Sequence, residues 1–219
     1  MLKKNIIIPK TARYFLSAEP SGNIEEIWFV CHGYAQLANY FIKNFEALNT
    51  GKALVVAPEA LNRFYWNGFS GKVVASWMTK EDREDEIRDY VAYLDAVYQE
   101  VLSQLENKNV KITVLGFSQG TATVCRWLAN GRSHADNMVL WAGAFPADMD
   151  LQLNKAVFNE MRTVLVTGDQ DEFIKEEQVK EHEQLLKENG ISHEVLRFSG
   201  RHEIREETLL ELASRLRGA

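Results

Sequence analysis

The chain has 219 residues, 46% of them apolar and 26% charged, and a formal net charge of −6. That length and apolar content suit a single domain, residues 1–219, built over one large core. The acidic balance and the lack of a basic stripe exclude a nucleic-acid partner, and no segment has the apolar length for stable membrane insertion.

The first ten residues begin like a signal peptide, but Pro9 and Lys10 interrupt the apolar stretch too early for one. They read as a first strand paired with Tyr14-Phe15-Leu16. Residues 27–31 form a continuous apolar strand ending in His32-Gly33-Tyr34, followed by a helix around 37–48 and a strand at 53–57. Between 58 and 80 there is little regular periodicity. A long helix from about 81 to 105 precedes a buried strand at 110–115, and residues 121–129 read as a helix. Short strands follow at 138–141 and 163–167, then a helix at 172–189, an alternating strand at 193–198 and a last helix at 203–215. This alternation predicts an α/β fold, a mostly parallel central sheet with helices on both faces and a site at the strands' C-terminal ends. Cys31 falls in a strand and Cys125 in a helix. Both fit small buried side chains in a reducing cytosol, so a cytoplasmic location is expected.

Gly116-Phe117-Ser118-Gln119-Gly120 stands between the strand at 110–115 and the helix that follows. A strand turning abruptly into a helix holds its central residue in a strained conformation with the hydroxyl exposed above the sheet. The flanking glycines are needed because a β-carbon there would meet the neighbouring strand and helix. Ser118 is therefore a candidate nucleophile. A serine hydroxyl needs a neutral imidazole to take its proton and a carboxylate to orient that imidazole.

Both appear further along, each on a loop after a strand. Gly168-Asp169-Gln170-Asp171 breaks the strand at 163–167, and Ser199-Gly200-Arg201-His202 ends the strand at 193–198. Asp171 is the preferred acid; Asp169 also follows the strand and is suited to shaping the turn. Of the five histidines, only His202 follows the last predicted strand. His32, His134, His182 and His193 read as solvated or locally hydrogen-bonded. For the oxyanion, one donor is the backbone N–H of Gln119, the residue after the nucleophile. The second is the N–H of Tyr34, in the turn that Gly33 permits. His32 reads as a structural residue bonding the loop backbone.

These motifs, in this order, resemble the α/β-hydrolase superfamily, and within it the small phospholipase/carboxylesterase group that includes acyl-protein thioesterase-like enzymes. The resemblance runs over nearly the whole chain. It implies a serine esterase or thioesterase without metal or organic cofactor, acting on a small-molecule ester or thioester. It carries the family's nucleophile, acid and base onto Ser118, Asp171 and His202, and its oxyanion donors onto Tyr34 and Gln119. The chain departs from the group at Arg201, where a glycine is usual before the base. It departs again at Tyr34-Ala35-Gln36, which lack a further glycine, and at Met78-Thr79 after Trp77.

The connection at 58–80 is long for a structureless loop and leaves a strand on the side of the nucleophile. It carries Phe64, Tyr65, Trp66, Phe69 and Trp77, expected either to wall an apolar acyl pocket or to pin the loop as a small satellite core. Arg201 either favours an anionic group on the substrate or pairs with Glu203 or solvent. The function expected is ester or thioester hydrolysis through an acyl-enzyme. Acyl transfer to another acceptor, perhydrolysis and a non-catalytic binding module are the alternatives on this fold.

Overall fold

The strand that leads into Ser118 lies at the centre of the sheet. The computed structural model describes residues 1–20 and 22–218. Its strands are β1 (Tyr14–Leu16), β2 (Glu26–Cys31), β3 (Ala53–Pro58), β4 (Asn62–Tyr65), β5 (Val73–Ser76), β6 (Lys111–Phe117), β7 (Asn137–Trp141), β8 (Arg162–Gly168) and β9 (Glu194–Phe198). The helices are α1 (Ala38–Phe41, continued by a 3-10 turn, Ile42–Leu48), α2 (Arg83–Gln104), α3 (Gln119–Asn130), α4 (Leu151–Asn159), α5 (Glu176–Glu188) and α6 (Glu206–Arg217). Seven strands form the main sheet in the order β1-β3-β2-β6-β7-β8-β9, and β4-β5 make a separate hairpin. Only β1 runs antiparallel in the main sheet.

Burial on both faces explains why β2 reads as an unbroken apolar run. Ile27, Phe29 and Cys31 share a core with Tyr90 and Leu94 of α2 and Trp127 of α3. Trp28 and Val30 point the other way, into a core with Phe41, Phe45 and, from α6, Leu209 and Leu212. Helix α2 presents Ile87, Tyr90, Val91, Leu94, Tyr98 and Val101 as one buried stripe at helical spacing. Its acidic first turn (Glu84, Asp85, Glu86) complements the helix dipole. From the same helix, buried Asp95 accepts hydrogen bonds from Trp127 Nε1 (2.9 Å), the Arg132 amide (2.9 Å) and Ser133 Oγ (2.7 Å), fixing the far end of α3.

The register decides where the site forms. Cys31 pairs with Gly116, Phe117 with Trp141 and Gly168 with Phe198. The turns after β2, β6, β8 and β9 therefore leave the sheet along one edge, the C-terminal edge on which ligands of such sheets bind.

Four elements differ from the sequence expectation. Residues 1–13 form no strand: Ile6, Ile7 and Ile8 are exposed, and β1 pairs instead with β3, Tyr14 opposite Pro58. The segment 58–80 contains the β4–β5 hairpin, Phe64 opposite Val74. Its alternation is masked because one face of β4 is exposed arginine and tyrosine. Helix α4 is an unforeseen short helix, capped by Asp150 Oδ1 accepting from the Leu153 amide at 2.9 Å. Helix α5 begins at Glu176, because residues 172–175 turn around Asp171. Among the described residues, no helix is long and apolar enough to cross a membrane.

Candidate active site

Ser118 adopts φ 52° and ψ −116°, a conformation that side chains other than glycine rarely take. The surrounding backbone enforces it. The Ser118 amide donates to Trp141 O at 3.0 Å, and Ser118 O accepts from the amide and hydroxyl of Thr121 at 3.0 and 2.7 Å. Strand and helix approach so closely that a Cβ on Gly116 would lie 2.3 Å from Gly120 O, and one on Gly120 2.2 Å from Cys31 O. The two glycines thus allow the contact that bends the chain and lifts Ser118 to the sheet's edge.

Asp171 and His202 meet at that edge. His202 Nδ1 lies 2.8 Å from Asp171 Oδ2, while Asp171 Oδ1 accepts from the Phe173 and Ile174 amides at 2.8 and 3.0 Å. The carboxylate is thereby held by two fixed donors, with its other oxygen aimed at the imidazole Nδ1. Asp169 has the other role: its Oδ1 accepts from the Gly200 amide at 3.0 Å, tying the two loops together. The imidazole lies between two aromatic rings, Phe117 at 4.9 Å and Phe173 at 4.8 Å between centroids. Phe117 is the residue before Ser118, so this contact sets the His202 ring against the end of β6. Trp141 Nε1 donates to Glu203 O at 2.8 Å and anchors the His202 loop to β7. Among the described residues no hydrogen bond joins Ser118 Oγ to His202; such bonds commonly tighten only when substrate binds.

The turn after β2 approaches Ser118. A Cβ on Gly33 would stand 3.1 Å from Ser118 Cβ. The Gly33 amide donates to Gln36 Oε1 at 2.8 Å, and Ala35 takes a positive φ of 60°. Among the described residues, the Tyr34 and Gln119 amides have no protein acceptor, so both N–H groups stay available beside Ser118. His32 is fully buried and structural, as the sequence suggests. Its Nδ1 bonds Gly33 O at 2.7 Å and its Nε2 accepts from the Ala60 amide at 3.1 Å. Burial pulls its pKa down to about 4, so it stays neutral.

The sequence profile described as Serine hydrolase (FSH1) matches residues 29–208, which contain all of these groups. The chain belongs to the FSH1 serine hydrolase family. No curated protein matches it significantly. Among solved structures it is similar to Zea mays acyl-protein thioesterase 2, at 19% identity and TM-score 0.73, with 95% of this chain and 99% of that one covered. A carboxylesterase from Mesorhizobium loti aligns at 18% identity and TM-score 0.70, covering 95% of each chain. A phospholipase/carboxylesterase from Dyadobacter fermentans aligns at 18% and 0.66, covering 97% and 99%. These likenesses concern the fold.

Around this serine hydrolase's site the aromatic residues divide into two groups. Tyr34 is exposed, and its ring lies 5.8 Å from Phe64 and 6.1 Å from Trp66, making a small aromatic rim at the turn after β2. Phe64 and Tyr65 border an open groove of about 460 Å³ together with Leu37 and Val73. Phe69, 99% exposed, caps the hairpin away from any packing. Trp77 belongs to the interior instead. It is 1% exposed, donates from Nε1 to His32 O at 2.8 Å, and packs on the His32 and Tyr90 rings. A second groove of about 410 Å³ lies between Ala35–Leu37 and Tyr40–Asn44. Arg201 is exposed, and among the described residues its guanidinium pairs with no carboxylate; only its backbone amide approaches Glu203 Oε1, at 3.5 Å.

Three contributors escape a reading by sequence. Phe173 packs on the His202 ring, Gln36 fixes the Gly33 amide, and the Gln119 side chain reaches the β5 strand. His182 is a fourth surprise: its Nε2 accepts from the Phe145 amide at 3.0 Å, in the loop after β7, and burial lowers its pKa to about 4. The one signal in the sequence for these was Phe173, an aromatic two residues past Asp171. Among the described residues, no group of three or more His, Cys, Asp or Glu side chains is placed to ligate a metal ion. Both cysteines are buried, and burial pushes their thiols far above the ordinary range.

Proposed function

We propose that this serine hydrolase cleaves a carboxylic ester or thioester through an acyl-enzyme on Ser118. The observation that carries the reading is the strained Ser118 beside the Asp171–His202 pair. In the first half-reaction His202 Nε2 takes the Ser118 proton as Oγ bonds to the acyl carbon. The resulting oxyanion accepts from the Tyr34 and Gln119 amides. Collapse breaks the bond to the alcohol or thiol, which takes the proton from His202. Water then repeats the sequence, yielding the free acid and restoring the serine. Asp171 stabilises the imidazolium in both halves. The start of α3 at Gln119 adds the positive end of a helix dipole to the oxyanion site.

The rim of exposed Tyr34 and Trp66 with half-buried Phe64 between them, and Tyr65 and Phe69 on the same hairpin, is the surface we assign to the acyl group. Arg201 at the loop beside the base favours an acidic substituent. The structural relatives named as thioesterase and carboxylesterases support the choice of ester and thioester bonds. The buried, reduced Cys31 and Cys125 agree with a cytosolic enzyme.

The test is a panel of p-nitrophenyl esters of rising chain length, with a thioester beside it. Free acid should be released steadily without an added acceptor, a fluorophosphonate should label Ser118, and Ser118→Ala should lower kcat by about 10⁶. Turnover that requires an alcohol or peroxide acceptor would assign the site to acyl transfer or perhydrolysis. An unlabelled Ser118 would refute the mechanism.

A further inference from the structure

The two proposed oxyanion donors come from different turns, one after β2 and one after β6, yet both turns are bonded to one short segment, Ala75 to Met78, and share Trp77. Ala75 O accepts from the Ala35 amide at 2.9 Å, and the Ala75 amide donates to Gln36 O at 3.0 Å. Trp77 Nε1 donates to His32 O at 2.8 Å. On the other side, Gln119 Oε1 accepts from the Trp77 amide at 3.2 Å. Gln119 Nε2 donates to Ser76 Oγ and to Met78 O, each at 3.1 Å, and Ser76 Oγ–H donates to Met78 O at 2.9 Å. These residues belong to β5 and its exit, which is hydrogen-bonded to β4 and lies outside the main sheet.

We infer that the Gln119 side chain is a positioning residue for the oxyanion hole, and that β5 is the template holding both donor amides at one spacing. The inference rests on the esterase reading above. Its physical basis is that the peptide carrying the Gln119 N–H, held on its carbonyl side by Thr121, follows a residue in a strained conformation that needs support from more than one side. Three side-chain hydrogen bonds, to Ser76 at the end of β5 and to the two residues that follow it, restrain the Gln119 backbone. Gln36 does the same for the other turn, through its side chain to the Gly33 amide and its backbone to Ala75. An oxyanion donor acts only if it is aimed at the atom where charge develops, so an angular drift lowers turnover without weakening ground-state binding.

The experiment compares Gln119→Met, which keeps length and shape but loses every hydrogen bond, with Gln119→Glu, which keeps the acceptor toward Trp77. Gln36→Met tests the other turn. For each, kcat and KM are measured with a short p-nitrophenyl ester. In parallel, the affinity is measured for a trifluoromethyl ketone, which adds Ser118 Oγ to its carbonyl carbon and leaves a tetrahedral oxyanion. Gln119→Met should lower kcat about 10- to 100-fold with KM within about twofold, and should weaken the ketone by a similar factor. Gln119→Glu should fall between it and the wild type. Should Gln119→Met fail to fold, Ser76→Ala removes a single acceptor and should show the same pattern at smaller size. Unchanged kcat, a loss confined to KM, or a kcat loss without weaker ketone binding would overturn the proposal. Wild-type turnover separates the two readings: an inert wild type sinks both, whereas an active wild type with an unaffected Gln119→Met refutes only the positioning role.

Discussion

Replacing the acid of the proposed triad separates two carboxylates that the sequence left side by side. In Asp171→Asn, Oδ1 can still accept from the Phe173 and Ile174 amides, so the loop keeps both hydrogen bonds. The atom left facing His202 Nδ1, now 2.8 Å from a carboxylate oxygen, becomes an NH₂ donor. Nδ1 must then accept, the ring proton moves to Nε2, and the nitrogen facing Ser118 can no longer take a proton. The same exchange in a Ser-His-Asp triad lowers kcat by about 10⁴, which corresponds to about 5.4 kcal/mol of lost transition-state stabilisation. KM and thermal stability should hardly change. Asp169→Asn is the control: an amide oxygen still accepts from the Gly200 amide, so kcat should stay within about threefold. Initial rates with a p-nitrophenyl ester, alongside a thermal melt of each variant, decide the matter. If Asp169→Asn lost as much activity as Asp171→Asn, the assignment of the acid would be wrong.

Other consequences concern folding and the rim. Gly120→Ala sets a methyl group 2.2 Å from Cys31 O, a backbone atom that cannot swing away; we expect at least ~3 kcal/mol of destabilisation in urea titrations. Trp66→Ala, on the exposed rim, should shift chain-length preference and leave the melting temperature in place. Trp77→Ala removes a buried indole and should cost ~3–5 kcal/mol of stability. An unaltered acyl preference in Trp66→Ala would remove the rim from the substrate site. His32 and His182 are both held near pKa about 4 by burial, and each accepts an amide N–H. Because the unfolded chain binds these protons first, their contribution is complete above about pH 6.5 and is lost as pH falls toward 4. Together this is on the order of a few kcal/mol. Urea unfolding at pH 7 and pH 5 should show the loss, and His182→Gln should flatten part of it; a pH-independent midpoint would contradict the burial argument.

Local chemistry in the chain was enough to recognise the elbow, because Gly-x-Ser-x-Gly between an apolar strand and a helix is a short-range steric requirement. The order of the loops that carry Asp171 and His202, the parallel sheet and the hydrogen-bonded, buried His32 were legible for the same reason. Pairing between distant segments was not. The apolar Ile6-Ile7-Ile8 resembles a strand, yet β1 finds its partner in β3. The hairpin within 58–80 was hidden by its half-exposed pattern. Asp169 and Asp171 are equivalent by position, and only three-dimensional contacts divide them: one accepts from Gly200, the other reaches His202. Trp66 and Trp77 are likewise two tryptophans in one aromatic stretch, separated only by what packs on them.

Sequence by itself thus determined the α/β class and which serine sits on the bend, since both follow from residue type and spacing. The tertiary structure decided which carboxylate meets the imidazole, which aromatics stay exposed, and that a strand outside the main sheet bonds both turns beside Ser118. Those outcomes depend on contacts such as Gln119 with Ser76–Met78, more than forty residues apart, where chain spacing carries no directional information.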